Sequence, residues 1–379
     1  MVFCSSKKIL FNLISSNSFP ETISINVDTN SIACYLKQIS IKYIKFLVWR
    51  QTMLHEKIKL WPNEENVFLH TYISDLAPMS KPDTILPAII ICPGGGYLSC
   101  SMDNEGEPIA RSFANAGYQA FVLEYSVAET SNGKDITFPK QMLELGKAML
   151  IVKEHAREWH INPDWISICG FSAGANLCGI YATRWQDNIL SDYFEKEAKE
   201  FKPFAALLGY GLLDYEYQLK KEAKLNPDSK DFMEASSCVF MGSPDPTKEK
   251  LQEVSPICHV SENTPPIFMF HSANDALVYV NNSLRFANEL SNKNVPFELH
   301  VFQAGNHGFG AGVRFGASFY ERDAYLRSNE WLSLSQEWLY RLIKPEIQDS
   351  DPMTPGFFEK YDVEQPAFVK EAMADPGKN

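Results

Sequence analysis

Residues 165–183 read Trp-Ile-Ser-Ile-Cys-Gly-Phe-Ser-Ala-Gly-Ala-Asn-Leu-Cys-Gly-Ile-Tyr-Ala-Thr, and this stretch decides the fold class. Trp165 to Cys169 is an apolar run of strand type, and Ala173 to Thr183 reads as a helix. Between them lies Gly170-Phe171-Ser172-Ala173-Gly174, a GxSxG sequence at a strand-to-helix turn. Such a turn presents the serine hydroxyl at the edge of a sheet. Glycine suits the flanking positions because a side chain there would strike neighbouring backbone. The helix N-terminus favours negative charge on a reacting oxygen. Ser172 is therefore the candidate nucleophile.

Working outward, the same strand-then-helix order repeats. Leu86 to Cys92 (LPAIIIC) is a continuous apolar run, as expected of a strand buried on both faces. Glu107-Pro108-Ile109-Ala110 opens a helix that Gly117 closes, and Tyr118 to Tyr125 is the next strand. Gln141 to Trp159 is a long amphipathic helix. Phe204 to Leu208, Ile267 to Phe270 and Phe297 to Phe302 read as further strands, with helices over Leu284 to Leu290 and Trp331 to Leu342. Ile58 to Trp61 and Val67 to Tyr72 read as an antiparallel start. The pattern predicts an α/β fold: a mostly parallel, twisted sheet of about eight strands with helices on both faces.

A serine nucleophile needs a base, and the base needs an orienting carboxylate. In a fold of this kind they come in the order serine, acid, histidine, each after a strand. Asp275 follows the strand Ile267 to Phe270 and is the candidate acid; its alternative reading is a helix N-cap. Asp245 and Asp214 are weaker candidates. His307 follows the last strand in Gly305-Asn306-His307-Gly308 and is the candidate base. His271 borders the acid loop and is a candidate support, whereas His259 reads as structural. Pro93-Gly94-Gly95-Gly96-Tyr97 follows LPAIIIC, where the second oxyanion donor belongs. The N–H groups of Gly95, Gly96 and Ala173 are the expected oxyanion donors. Tyr97 lines the acyl pocket or is a core aromatic. A phosphate loop is the rival reading, but the Lys-Ser/Thr of a P-loop and the GxGxxG spacing are both missing.

Bulk composition narrows the partners. The chain has 379 residues, 45% hydrophobic and 22% charged, with a formal net charge of −12. An acidic balance argues against nucleic acid, because phosphate binding needs clustered cations. The same balance suits a neutral or small-molecule substrate. The sequence leaves a homo-oligomer possible and undetermined. The eight cysteines form no CxxC pair and no zinc-type Cys/His spacing, so no metal site is expected. Reduced thiols fit an intracellular, cytoplasmic setting. The N-terminal Lys7-Lys8-Ile9-Leu10-Phe11 is a poor signal peptide, and no run of apolar residues is long enough to span a membrane.

Three segments stand apart. Residues 1–52 are rich in Ser, Asn, Ile and Lys and read as an N-terminal extension dispensable for folding, with an ordered arm as the alternative. The main domain is then residues 53–345. Residues 212–256 are polar, charged and irregular, and read as a cap-like insertion. They also hold Leu219, Leu225, Phe232, Met233, Val239 and Phe240. Residues 346–379 read as a C-terminal tail.

The chain resembles the acetyl esterase and acetylxylan-esterase-like branch of the α/β hydrolases. The resemblance rests on Cys92-Pro-Gly-Gly-Gly-Tyr97, Glu105-Gly-Glu-Pro-Ile-Ala110, Gly117-Tyr118, Phe121-Val-Leu-Glu-Tyr125, Gly170-Phe-Ser-Ala-Gly174 and Gly305-Asn-His-Gly308, across residues 55–345. It implies cofactor-free hydrolysis of small acyl esters, which makes the small-molecule substrate an ester, with Ser172, Asp275 and His307 as triad. The chain departs from the pattern at Ser126, where relatives often carry Arg, and at Ala175-Asn176, where Gly-His is frequent. A lipase or serine peptidase of the same fold and a non-catalytic binding module on this scaffold are the alternatives.

Overall fold

The computed structural model describes residues 53–76, 80–81, 84–225, 230–311 and 330–344. The expected extension over 1–52 and the tail over 346–379 lie outside the described residues. Strands β1 (Met53–Leu54), β2 (Lys57–Lys59), β3 (Phe68–Ser74), β4 (Leu86–Cys92), β5 (Gln119–Glu124), β6 (Ile161–Phe171), β7 (Ala206–Gly209), β8 (Ile267–Ser272) and β9 (Phe297–Phe302) form one sheet. Its order is β1-β3-β5-β4-β6-β7-β8-β9, with β2 also paired to β3. The sheet thus has nine strands among the described residues, one more than expected, because β1 and β2 pair separately with β3. The pairs β1–β3, β2–β3 and β3–β5 are antiparallel; β4 to β9 run parallel.

Alternation across the pleat explains the continuous apolar runs. In β4, Ala88, Ile90 and Cys92 enter one core layer, while Ile89 and Ile91 enter the other. The helices are α1 (Glu107–Asn115), α2 (Lys140–Glu154), α3 (Ala173–Arg184), α4 (Asn188–Phe194), α5 (Tyr215–Leu225), α6 (Lys230–Met241), α7 (Lys248–Glu253), α8 (Asn281–Asn292) and α9 (Trp331–Ile343). Met142, Leu145 and Met149 of α2, Leu177 and Ile180 of α3 and Phe286 of α8 cover the first layer. Ile109 and Phe113 of α1 and Trp331, Trp338 and Leu339 of α9 cover the second. Each fully buried Ile of β4 contributes about 1.5–3 kcal/mol by leaving water.

The reading of 212–256 as irregular is corrected: residues 215–225, 230–241 and 248–253 are helical. In α6 the buried residues are Met233, Ser236, Ser237, Phe240 and Met241. Their spacing is helical, but two of the five are serines, so the face is faint in hydropathy. The strand expected from Trp165 begins at Ile161, with a register shift where Leu86 pairs Ile161 and Ala88 pairs Ile166. Asn162-Pro163-Asp164 carries turn chemistry that hides this pairing in the sequence. Because β4, β6, β8 and β9 are parallel, the loops that follow them emerge at one edge of the sheet.

Candidate active site

The backbone at Ser172 has φ 51° and ψ −115°, a conformation L-residues rarely adopt. It turns β6 directly into α3 and lifts the hydroxyl clear of the chain. A Cβ on Gly170 would lie 2.1 Å from the Gly174 carbonyl oxygen, and one on Gly174 would lie 2.1 Å from that of Cys92. No side chain fits at either position. The Ser172 N–H donates to the Gly209 carbonyl at 2.9 Å, pinning the turn to β7.

His307 Nε2 lies 2.9 Å from Ser172 Oγ, and its Nδ1 lies 2.8 Å from Asp275 Oδ2. The three candidate residues are therefore one hydrogen-bonded chain. Asp275 Oδ1 accepts the backbone N–H groups of Leu277 and Val278 at 3.0 and 2.9 Å. Its alternative reading as a helix N-cap is not borne out, because the next helix begins at Asn281 with Val280 at its N-cap; Oδ1 instead closes a local turn while Oδ2 faces His307. Asp275 Oδ2 also faces His271 Nε2 at 3.2 Å. That nitrogen has the Val278 carbonyl at 2.8 Å as well, so both its neighbours are acceptors and it carries a proton. Ser283 Oγ sits 2.8 Å from His271 Nδ1. His271 thus steadies Asp275 from behind.

Burial alone would raise the Asp275 carboxyl. The charge of His307 and hydrogen bonds from His271 and His307 outweigh it, holding the carboxyl well below its ordinary range. Burial alone would lower His307; the Asp275 carboxylate, and to a lesser extent Glu105, outweigh it and raise the imidazole above 6.5. The loop carrying His307 is tied at both ends. Asn274 Oδ1 accepts the N–H groups of Gly305 and Asn306, each at 3.1 Å, and Asn104 Nδ2 donates to the Gly308 carbonyl at 2.9 Å.

The glycine loop after β4 faces Ser172 from the other side. A Cβ on Gly94 would lie 3.0 Å from Ser172 Cβ. Gly95 and Gly96 have φ of 128° and 65°, and among the described residues neither of their N–H groups donates a hydrogen bond. Ala173 opens α3, so its N–H has no partner within the helix. Gly94 N–H is taken at 2.8 Å by Glu105 Oε2, and Glu105 Oε1 accepts the Tyr210 hydroxyl at 2.6 Å. Burial pushes the Glu105 carboxyl up.

Tyr97 is corrected from pocket lining to core. It is fully buried, stacks on Phe240 at 3.9 Å and 4°, and donates its hydroxyl to Asn176 Oδ1 at 2.6 Å. Asn176, one of the departures from the family pattern, also donates to the carbonyls of Leu212 and Val254. The weaker acid candidates lie elsewhere: Asp214 pairs with Arg285 at 2.8 Å, and Asp245 is exposed. His259 bonds the carbonyls of Gln252 and Glu253, as a structural histidine would. Glu105, Asn104, Asn274 and Tyr210 were not legible as site residues. Only Glu105 carried a signal, as part of a family segment. Among the described residues no three His, Cys, Asp or Glu side chains converge as metal ligands, and no helix is long and apolar enough to cross a membrane.

With this geometry in place, comparison with known proteins is direct. The BD-FAE family model matches residues 75–290. The chain belongs to the BD-FAE family. Two curated proteins are similar to this BD-FAE chain over part of their length. Endo-1,4-beta-xylanase B of Butyrivibrio fibrisolvens is 30% identical over 66% of this chain and 37% of its own. Acetylxylan esterase of Xylanibacter ruminicola is 28% identical over 60% of this chain and 42% of its own. The chain spans about half or less of the length of the curated relatives it matches. Among solved structures, MGS-M1, an alpha/beta hydrolase enzyme from a Medee basin deep-sea metagenome library, superposes with TM-score 0.57 at 29% identity. That match covers 78% of this chain and all of MGS-M1. The BD-FAE chain has the α/β-hydrolase fold.

Proposed function

We propose that this BD-FAE protein is a serine carboxylesterase that cleaves small acyl esters, with acetylated sugars or xylo-oligosaccharides as its substrate class. The carrying observation is the continuous chain Ser172 Oγ–His307–Asp275, closed by contacts of 2.9 and 2.8 Å beside a loop whose Gly95 and Gly96 N–H groups donate to no acceptor among the described residues. The acetyl and xylan part rests on the relatives' names alone.

His307 Nε2 takes the hydroxyl proton as Ser172 Oγ attacks the ester carbonyl carbon. The carbonyl electrons move onto oxygen, and the N–H groups of Gly95, Gly96 and Ala173 hold that charge. Asp275 keeps His307 Nδ1 protonated and offsets the imidazolium charge. His307 then hands the proton to the departing alcohol, leaving an acyl-serine. Water deprotonated by His307 attacks the acyl carbon, and Ser172 leaves with the returned proton.

Hydrolysis of p-nitrophenyl acetate through octanoate, and acetate release from acetylated xylo-oligosaccharides, tests the reading in wild type and Ser172→Ala. The expected profile is greatest on acetate and lost in the variant. A maximum at long chains indicates a lipase. Folded protein inert on every ester overturns the esterase reading.

A further inference from the structure

Phe232 of α6 rests its ring tip on the glycine loop. A Cβ built on Gly96 would lie 2.5 Å from Phe232 Cζ and 3.2 and 3.3 Å from the two flanking ring carbons. Gly96 is one of the two glycines whose N–H groups face the reacting carbonyl in the esterase reading. Phe232 is 37% exposed, so water still reaches it although it rests on the loop.

The side on which Phe232 stands is set by the sheet. Ser172 directly follows β6; β4 and its glycine loop lie to one side, and β7, β8 and β9, with Asp275 and His307, lie to the other. His307 must protonate the departing alcohol, so the alcohol oxygen faces the β8 side. The carbonyl oxygen points to the loop N–H groups. Phe232, seated on Gly96, therefore stands on the β4 side of Ser172, away from the departing alcohol.

The ring is held there by the rest of its helix. Met233 is 4% exposed and Phe240 is fully buried. Phe240 stacks on Tyr97, the residue after Gly96, and its carbonyl accepts the Phe138 N–H at 2.9 Å. Helix α6 and the glycine loop therefore form one packed unit, with Phe232 as its exposed edge.

We infer that Phe232 is the residue that limits acyl-chain length, by closing the space beside Gly96 to substituents larger than a short acyl group. This rests on the esterase reading. A rigid ring wall discriminates against added methylenes by about 10-fold or more each.

The test measures kcat/KM of wild type, Phe232→Ala and Phe232→Leu on two ester series. One varies the acyl chain from acetate to hexanoate with p-nitrophenol as alcohol. The other holds acetate and varies the alcohol. Circular dichroism and Tm confirm folding, and the leucine variant serves if the alanine variant does not fold. The inference expects the hexanoate-to-acetate ratio to rise by about 10-fold or more, with the order of alcohols unchanged. An unchanged acyl profile overturns it while leaving the esterase reading standing. A change confined to the alcohol series overturns it too, by placing Phe232 on the leaving-group side. A wild type inert on all esters overturns the esterase reading, and this inference falls with it.

Discussion

Glu105 accepts the backbone N–H of Gly94 at 2.8 Å from inside the core, one residue before the glycines that face Ser172. Its other oxygen takes the Tyr210 hydroxyl, whose own oxygen accepts the Gly310 N–H at 3.0 Å. One buried carboxyl thus ties the glycine loop to the segment just beyond His307. Replacing it by alanine removes the acceptor of two buried donors, each such loss costing about 1–3 kcal/mol. Glu105→Ala is expected to lower Tm by several degrees and kcat by about 10-fold or more, with a smaller loss in KM. Thermal melts and steady-state kinetics on p-nitrophenyl acetate check it; wild-type kcat in a folded variant would refute the coupling.

The pH profile follows from His307. It must be neutral to accept the Ser172 proton, and its environment raises it above 6.5. Raising the base moves the point of activity loss to higher pH. The acidic limb of kcat/KM is therefore expected above 6.5. Because Glu105 is among the charges that raise His307, Glu105→Gln should move that limb downward. A limb that stays in place separates Glu105 from the electrostatics of the base.

Asp275 holds His307 through Nδ1. Asp275→Asn retains the shape but presents an amide where a carboxylate is needed, and it favours the wrong tautomer of His307. A fall of about 10³–10⁴-fold in kcat is expected, with little change in KM. Titration of acyl-enzyme formation in a single turnover distinguishes this from loss of binding.

Gly96 and Phe232 are expected to be coupled. Gly96→Ala places a methyl group 2.5 Å from Phe232 Cζ, at a φ of 65°. It should cost about 10²-fold in kcat by displacing an oxyanion donor. In the double variant with Phe232→Ala, part of that loss should return, since the clash is gone while the backbone strain remains. Strict additivity in the double-mutant cycle argues that the ring does not touch the loop.

Glu144 contributes a pH dependence of stability. Burial pushes its carboxyl up to about 7, against hydrogen bonds from Ser126 and the nearby Lys140 charge. A folded-state value above the unfolded one means that the native state binds the extra proton. Its contribution to stability is full below about 4.5 and is lost as pH rises through about 7. Tm of the wild type should therefore fall over that window relative to Glu144→Gln. Parallel Tm-against-pH curves would show that Glu144 does not titrate there.

What could be read before folding differed by element. The strand runs of β4, of β8 and of β6 from Ile166 onward were legible because a strand buried on both faces must be apolar throughout. The α6 face was not, because Ser236 and Ser237 complete it beside Met233 and Phe240. From its place beside the glycines Tyr97 could line a pocket or join the core; its neighbours Phe240 and Asn176 lie 143 and 79 positions further along the chain, and only their packing shows it buried.

The sequence by itself determined the fold class and the turn at Ser172, and it singled out Asp275 and His307, the two residues that the structure joins to Ser172 in one hydrogen-bonded chain. Each of these depends on local patterns: apolar period, glycine at a turn, a charged or imidazole residue after a strand. Only the tertiary structure decided that His271 backs Asp275, that Glu105 holds Gly94 and that Phe232 stands on Gly96. Those are contacts between segments far apart in the chain, and a linear pattern carries no distance between them. They are set when the parallel strands bring their loops to one edge of the sheet.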